Sequence, residues 1–123
     1  MSRTDIRVEP VEMFFDRGRK LAALADRSRP LPRSRVVAFD DAAGLLRVLT
    51  AKRVLLLRKV KENPGSISEL AKRLKRDRSA VTRDVHLLAQ HGVVHVTEKS
   101  LPGHGRQKWI TPVAQNIQLI ASL

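Results

Sequence analysis

Asp77-Arg78-Ser79-Ala80-Val81-Thr82-Arg83-Asp84-Val85-His86-Leu87-Leu88-Ala89-Gln90-His91-Gly92 is the stretch whose reading decides the fold. Asp77 is a favoured helix N-cap residue and Gly92 a favoured stop, so the segment predicts a helix from Arg78 to about His91. Val81, Val85 and Leu88 recur at spacings of four and three and form a stripe for burial. Ser79, Thr82, Arg83 and His86 recur at i, i+3, i+4 and i+7 and form a second, polar stripe. Hydroxyls and an arginine on one exposed face suit base edges and phosphates in a major groove. A solvated surface face is the plain alternative.

Working outward, Ser66-Ile67-Ser68-Glu69 has the spacing of a capping box. It opens a short helix with Ile67, Leu70, Ala71 and Leu74 inward. The three residues Lys75-Arg76-Asp77 then join two helices in a helix–turn–helix, whose second helix is the one that enters a groove. Upstream, Thr50 caps a helix that runs to about Glu62 and stops at Asn63-Pro64-Gly65. Downstream of Gly92 the hydrophobic period drops from 3.6 to 2. Val93-Val94-His95-Val96-Thr97 and Arg106-Gln107-Lys108-Trp109-Ile110 read as two strands of a hairpin around Pro102-Gly103-His104-Gly105. Lys99, Arg106 and Lys108 give that hairpin a basic rim. A helix–turn–helix followed directly by such a hairpin is a winged helix.

Asp77 to Val85, Leu87-Leu88 and His91-Gly92-Val93-Val94 resemble the recognition helix and first wing strand of MarR-type winged-helix transcriptional regulators. Gly103-His104-Gly105-Arg106 is similar to their wing, Thr111-Pro112 to the start of their closing helix, and Ile67-Ser68-Glu69-Leu70-Ala71 to their first helix–turn–helix helix. The resemblance covers about residues 50–115. Leu49-Thr50-Ala51-Lys52-Arg53 looks similar to the entry of small predicted regulators of the antitoxin type. The resemblance implies a regulator that binds double-stranded DNA. MarR-type proteins generally dimerise through long terminal helices, and both terminal helices expected here are short.

The distribution of charge supports a polyanionic partner. The chain has 123 residues, 24 Lys+Arg against 12 Asp+Glu, and a net charge of +12. Residues 50–111 hold 14 basic and 5 acidic side chains, a net of +9, whereas residues 112–123 hold no charge. Such a concentration points to nucleic acid. The expected contact residues are Arg78, Ser79, Thr82, Arg83 and His86 on the recognition helix. Arg83 and Arg78 are suited to reading guanine bidentately, an interaction worth about 1–3 kcal/mol of discrimination. Lys72 and Arg76, with Arg73 and Lys75, are expected on phosphates or as solvated charge rather than on bases, and Arg106 and Lys108 of the wing either on phosphates or as charges that keep the hairpin soluble. Trp109 is expected as a core plug beneath the wing.

Other chemistries find little support. There is no cysteine and no tyrosine, which excludes a disulfide scaffold, a thiolate metal site and a cysteine nucleophile. No two of the four histidines stand four apart on one helix, so no metal or other cofactor is expected. Gly103-His104-Gly105 is too short for a phosphate loop, and the chain does not read as an enzyme. Phe14, Phe15, Phe39 and Trp109 are too few and too scattered to stack single-stranded RNA. No apolar run approaches the roughly 20 residues of a membrane span, which leaves cytoplasm as the default compartment.

Towards the ends, Val11, Phe14, Phe15, Leu21, Ala22 and Ala25 mark a helix from about Pro10 to Ala25, with Gly18 on the same stripe. Asp26 to Arg35 reads as an arm rich in proline and arginine. Val36-Val37-Ala38-Phe39 reads as a strand, and Asp40 or Asp41 caps a helix through Leu49. Thr111-Pro112 opens a final helix with Val113, Ile117 and Ile120 on its apolar face. The fold class expected is therefore mainly α with a small β-hairpin: a winged helix–turn–helix with helical extensions at both ends. The expected organisation is an N-terminal helix and arm (1–35), a DNA-binding domain (36–111) and a C-terminal helix for dimerisation (112–123). The expected function is a sequence-specific, homodimeric DNA-binding repressor. The alternative is an antitoxin that autoregulates its operon and binds a toxin through residues 1–35. An architectural DNA-binding protein is a third reading.

Overall fold

The computed structural model describes residues 2–31, 34–103 and 105–120. In chain order the elements are β1 (Arg3–Val8), α1 (Val11–Asp26), β2 (Ser34–Phe39), α2 (Ala42–Val48), α3 (Ala51–Glu62), β3 (Gly65–Ser66), α4 (Ile67–Leu74), α5 (Arg78–Gln90), β4 (Val94–Leu101), β5 (Gly105–Pro112) and β6 (Asn116–Ile120). Residues 48–113 form one compact unit, and the segments before and after them form a second.

In the unit of residues 48–113 the local signals of the sequence are realised closely. Thr50 Oγ1 accepts from the Arg53 N–H at 3.4 Å and starts α3, and Ser66 Oγ accepts from the Glu69 N–H at 3.2 Å and starts α4. Asp77 holds the N-cap position of α5 but makes no side-chain cap bond. Gly92, at φ 74°, closes α5, and the Val93 N–H reaches back to the Leu88 carbonyl at 2.9 Å. Leu56, Val60, Leu70, Val81, Leu88, Val93 and Ile110 are buried in its core. β4 and β5 form the hairpin, and β3 adds to the other edge of β5, giving an antiparallel sheet in the order β3-β5-β4. Three helices, a helix–turn–helix at α4–α5 and this hairpin make a winged helix.

The other unit departs from expectation. It contains a parallel sheet in the order β2-β1-β6. β1, α1 and β2 form a β–α–β unit, and β6 pairs with the free side of β1, Arg3 opposite Asn116 through Arg7 opposite Ile120. The expected C-terminal helix is thus a strand from Asn116 to Ile120. Ile117 and Ile120 fit a helical spacing, but a short β-branched run fits a strand equally, and β1 supplies the pairing partner. Among the described residues two three-stranded sheets replace the single hairpin expected, so the fold is mixed α/β rather than mainly α. The expected arm at 26–35 ends in β2, which extends the expected strand back to Ser34; Pro32 and Arg33 lie outside the described residues, as do Ala121 and Leu123 of the expected final helix.

Period-2 alternation puts Arg3, Asp5 and Arg7 on one face of β1 and Thr4, Ile6 and Val8 on the other. Asp5 is buried and pairs with both flanking arginines, at 3.1 and 3.0 Å. Arg17 of α1 grips Glu9 bidentately at 2.6 and 2.7 Å. That hydrogen bond and charge outweigh the opposing effect of burial and hold the Glu9 carboxyl below the usual carboxylate range. α1 buries no residue.

Candidate nucleic-acid interface

The helix–turn–helix depends on how α4 ends. Lys75 takes the left-handed conformation (φ 53°, ψ 49°), its N–H bonding the Lys72 carbonyl and the Arg76 N–H the Ala71 carbonyl. This pattern turns the chain sharply and carries it into α5. A second device then fixes α5. Asp84 lies on its buried side, 8% exposed, and receives Arg53 Nε from α3 at 3.0 Å and an Arg76 terminal nitrogen from the turn at 2.7 Å. Arg53 also donates to the Val48 carbonyl at 3.2 Å. Burial pushes the Asp84 carboxyl up, but hydrogen bonds and charges from Arg76 and Arg53 more than offset it and hold the group below the usual range. One carboxylate thereby ties α5 to both α3 and the turn that precedes it.

With α5 so anchored, Arg78, Ser79, Thr82, Arg83 and His86 are all exposed on it. The Thr82 hydroxyl donates to the Arg78 carbonyl at 2.7 Å, which leaves its oxygen lone pairs available as acceptors. The wing contributes through its pleat. Val94, Val96 and Glu98 of β4 lie opposite Pro112, Ile110 and Lys108 of β5, and Arg106 continues the same face. That face is apolar where Ile110 is buried and becomes basic at Lys108 and Arg106 as the hairpin leaves the core. The result is a cleft of about 300 Å³ lined by Ser66, Ile67, Ser68, Arg78, Thr82, Arg106, Gln107 and Lys108. Four of the expected residues, Arg78, Thr82, Arg106 and Lys108, therefore converge from two elements. Glu98 tempers the wing by pairing with Arg106 at 3.4 Å.

The remaining expected residues divide by environment. Lys72 is exposed and lines a second hollow with Ser68, Lys75 and Arg78. Arg76 faces inward on Asp84 with its side chain 19% exposed, so its geometry is that of a structural arginine rather than a phosphate contact. Arg73 is similarly tied to Glu69 and to the Asn63 carbonyl. Trp109 is half-buried on the outer face of the wing, where the Lys99 ammonium sits 4.1 Å from its ring centroid, so it caps that face instead of plugging the core. His104 lies outside the described residues. Ser66, Ser68 and Gln107 were missed as cleft residues because a capping box and a strand position explain them locally. Asp84 was missed despite a usable signal: it stands at i+3 from Val81 and i−4 from Leu88, within the buried stripe, where a carboxylate needs a cationic partner. No group of three or more metal-ligating side chains converges among the described residues, and no described helix is long and apolar enough to cross a membrane.

The fold and site together define a winged helix with a basic, concave face between its second helix–turn–helix helix and its wing. The chain belongs to the HVO_A0114 family, whose model matches residues 48–118. No curated protein matches it. Among solved structures it is similar to a Methanosarcina mazei Go1 protein described as a possible transcriptional regulator, with 21% identity over 60% of this chain and 72% of that one, at TM-score 0.47. It is also similar to HlyU from Vibrio cholerae N16961 (23% identity, 55% of this chain, 70% of that one, TM-score 0.46). A third is the MarR protein from Peptoclostridium difficile DA00132 (20% identity, 83% of this chain, 56% of that one, TM-score 0.46).

Proposed function

We propose that the chain is a transcriptional regulator that binds double-stranded DNA with sequence preference, as a homodimer and in the sense of repression. The observation that carries this reading is the convergence of Arg78 and Thr82 from α5 with Arg106 and Lys108 from the wing on one cleft. α5 lies in the major groove with Arg78, Ser79, Thr82, Arg83 and His86 toward base edges and phosphates. Lys72, Arg106 and Lys108 neutralise backbone phosphates on either side. Repression follows from occupancy, since a protein seated on a promoter excludes the polymerase.

Fluorescence anisotropy with the gene's own upstream duplex and a shuffled duplex of equal composition tests the proposal. The native duplex is expected to bind at least tenfold more tightly at moderate salt, with affinity falling steeply as salt rises. Equal affinity for the two duplexes removes the sequence preference and leaves an architectural binder. No binding to either removes the function.

A further inference from the structure

Four of the largest exposed apolar side chains crowd the first turn and a half of α1: Val11 at 49%, Met13 at 53%, Phe14 at 45% and Phe15 at 57%. The helix is 16 residues long, buries none of them and carries Gly18 at its middle. Glycine inside a helix costs about 1 kcal/mol relative to alanine. Among the described residues no close contact requires the glycine: it borders a hollow with Phe14, Arg17 and Leu21 over β1 and β2, and a Cβ at position 18 would meet no atom within 4 Å. Val11, Phe15, Gly18, Ala22 and Ala25 recur at spacings of four, three, four and three, and all five are exposed. That is the seam of one helix packing against another, with large residues at its N-terminal end and small ones from Gly18 onward.

We propose that this seam pairs with the α1 seam of a second copy of the chain, antiparallel. Antiparallel pairing sets the large end of each helix on the small end of the other: Phe15 enters the notch at the partner copy's glycine 18, and Val11 covers the alanine at position 22. The charges beside the seam agree with this orientation. Glu12 and Arg19 flank it on the same side; Arg19 pairs loosely with Asp16 of its own helix at 3.5 Å, both side chains largely exposed, and the two-fold brings each Glu12 toward the arginine at position 19 of the other copy. A parallel pair would instead face Phe15 with itself and leave the two glycines opposite a void. The inference rests on the homodimer proposed above and places its contact on α1.

Sedimentation equilibrium of the full chain without DNA tests the pairing, so its outcome does not depend on any operator. The wild type is expected to be a dimer. Gly18→Ala separates the proposal from a fold defect: it raises the melting temperature of the chain under monomeric conditions by restoring helix propensity, yet weakens dimerisation at least tenfold by filling the notch. Glu12→Arg and Arg19→Glu each weaken dimerisation about tenfold, equivalent to about 1.4 kcal/mol, and the double variant recovers it. Circular dichroism reports whether α1 is retained in each. A wild-type chain that stays monomeric, a dimer indifferent to Gly18→Ala, or a double variant no tighter than its parents overturns the proposal. So does a monomeric chain that engages α1 only with a different protein.

Discussion

Asp84 shows how one residue sets the geometry of the proposed recognition surface without joining it. Its carboxylate faces two guanidiniums from α3 and the turn, and removing one partner of a buried pair strands the others. Asp84→Asn is expected to lower the unfolding free energy by about 3 kcal/mol, as for other broken buried pairs, measurable by urea denaturation. The sign of the pH dependence follows from the depressed pKa. The Asp84 contribution is complete above the unfolded carboxyl's pKa and is lost as pH falls through the folded value. Asp84→Asn should therefore flatten the acid limb of the stability curve, and an unchanged limb would assign acid lability elsewhere. Lys75 is a second residue at which local and global demands differ. A left-handed lysine costs about 1 kcal/mol that a glycine avoids, so Lys75→Gly is expected to raise stability by about that amount in thermal melts. The cap positions Thr50, Ser66 and Gly92 were legible because their chemistry is local. Val54-Leu55-Leu56-Leu57 was not, since every position is apolar; the structure buries Leu56 and leaves Leu55 exposed, a choice made by the neighbours of α3.

At the scale of elements, the proposed function divides DNA recognition between α5 and the wing through side chains of the same charge. Arg83 stands exposed on the polar stripe of α5, while Lys108 stands where the wing's inner face turns from apolar to basic. Arg83→Ala is expected to narrow the gap between native and shuffled duplex by about 1–3 kcal/mol with little change in salt slope. Lys108→Ala is expected to weaken both duplexes alike and reduce the salt slope by about 0.9. Anisotropy titrations of both variants across a salt series check the pair; the reverse assignment of effects would place Lys108 on bases. The elements most readable from sequence are those whose partners are near in the chain. α3, α4, α5, β4 and β5 succeed one another with caps, a tight turn and a hairpin between them. β1 was available in principle, because Arg3, Asp5 and Arg7 alternate with Thr4, Ile6 and Val8, but a charge on every second residue disguises a strand whose two arginines share one buried carboxylate. β3 is two residues long and exists only because Trp109 and Ile110 pair with it, which no window of the sequence around Gly65 could reveal.

For the whole molecule the decisive fact is that the two chain ends meet in one sheet while the basic unit lies between them in sequence. β1 pairs with β6 from Arg3–Asn116 to Arg7–Ile120, and Ser2 accepts from the Gln115 N–H across 113 residues. Contacts so distant in sequence form late and carry the full cost of closing the loop, whereas residues 48–113 assemble from neighbours. The cores differ as well: the winged-helix unit buries Leu56, Val60, Leu70, Val81, Val85, Leu88, Val93 and Ile110, while the central strand of the other sheet buries Thr4 and Asp5 beside Ile6. The chain is therefore expected to unfold from its terminal sheet first. Deleting residues 114–123 takes β6 away and turns β1 from a central into an edge strand, freeing the backbone groups that β6 satisfied. Hydrogen exchange should then show the amides of β1 and β2 exchanging at least tenfold faster, with α3, α5 and β5 protected as in the full chain and duplex DNA still bound. Uniform acceleration across α5 and β5 would mean that the two sheets share one cooperative transition, and that the +9 charge of residues 50–111 depends on the terminal strands for its display.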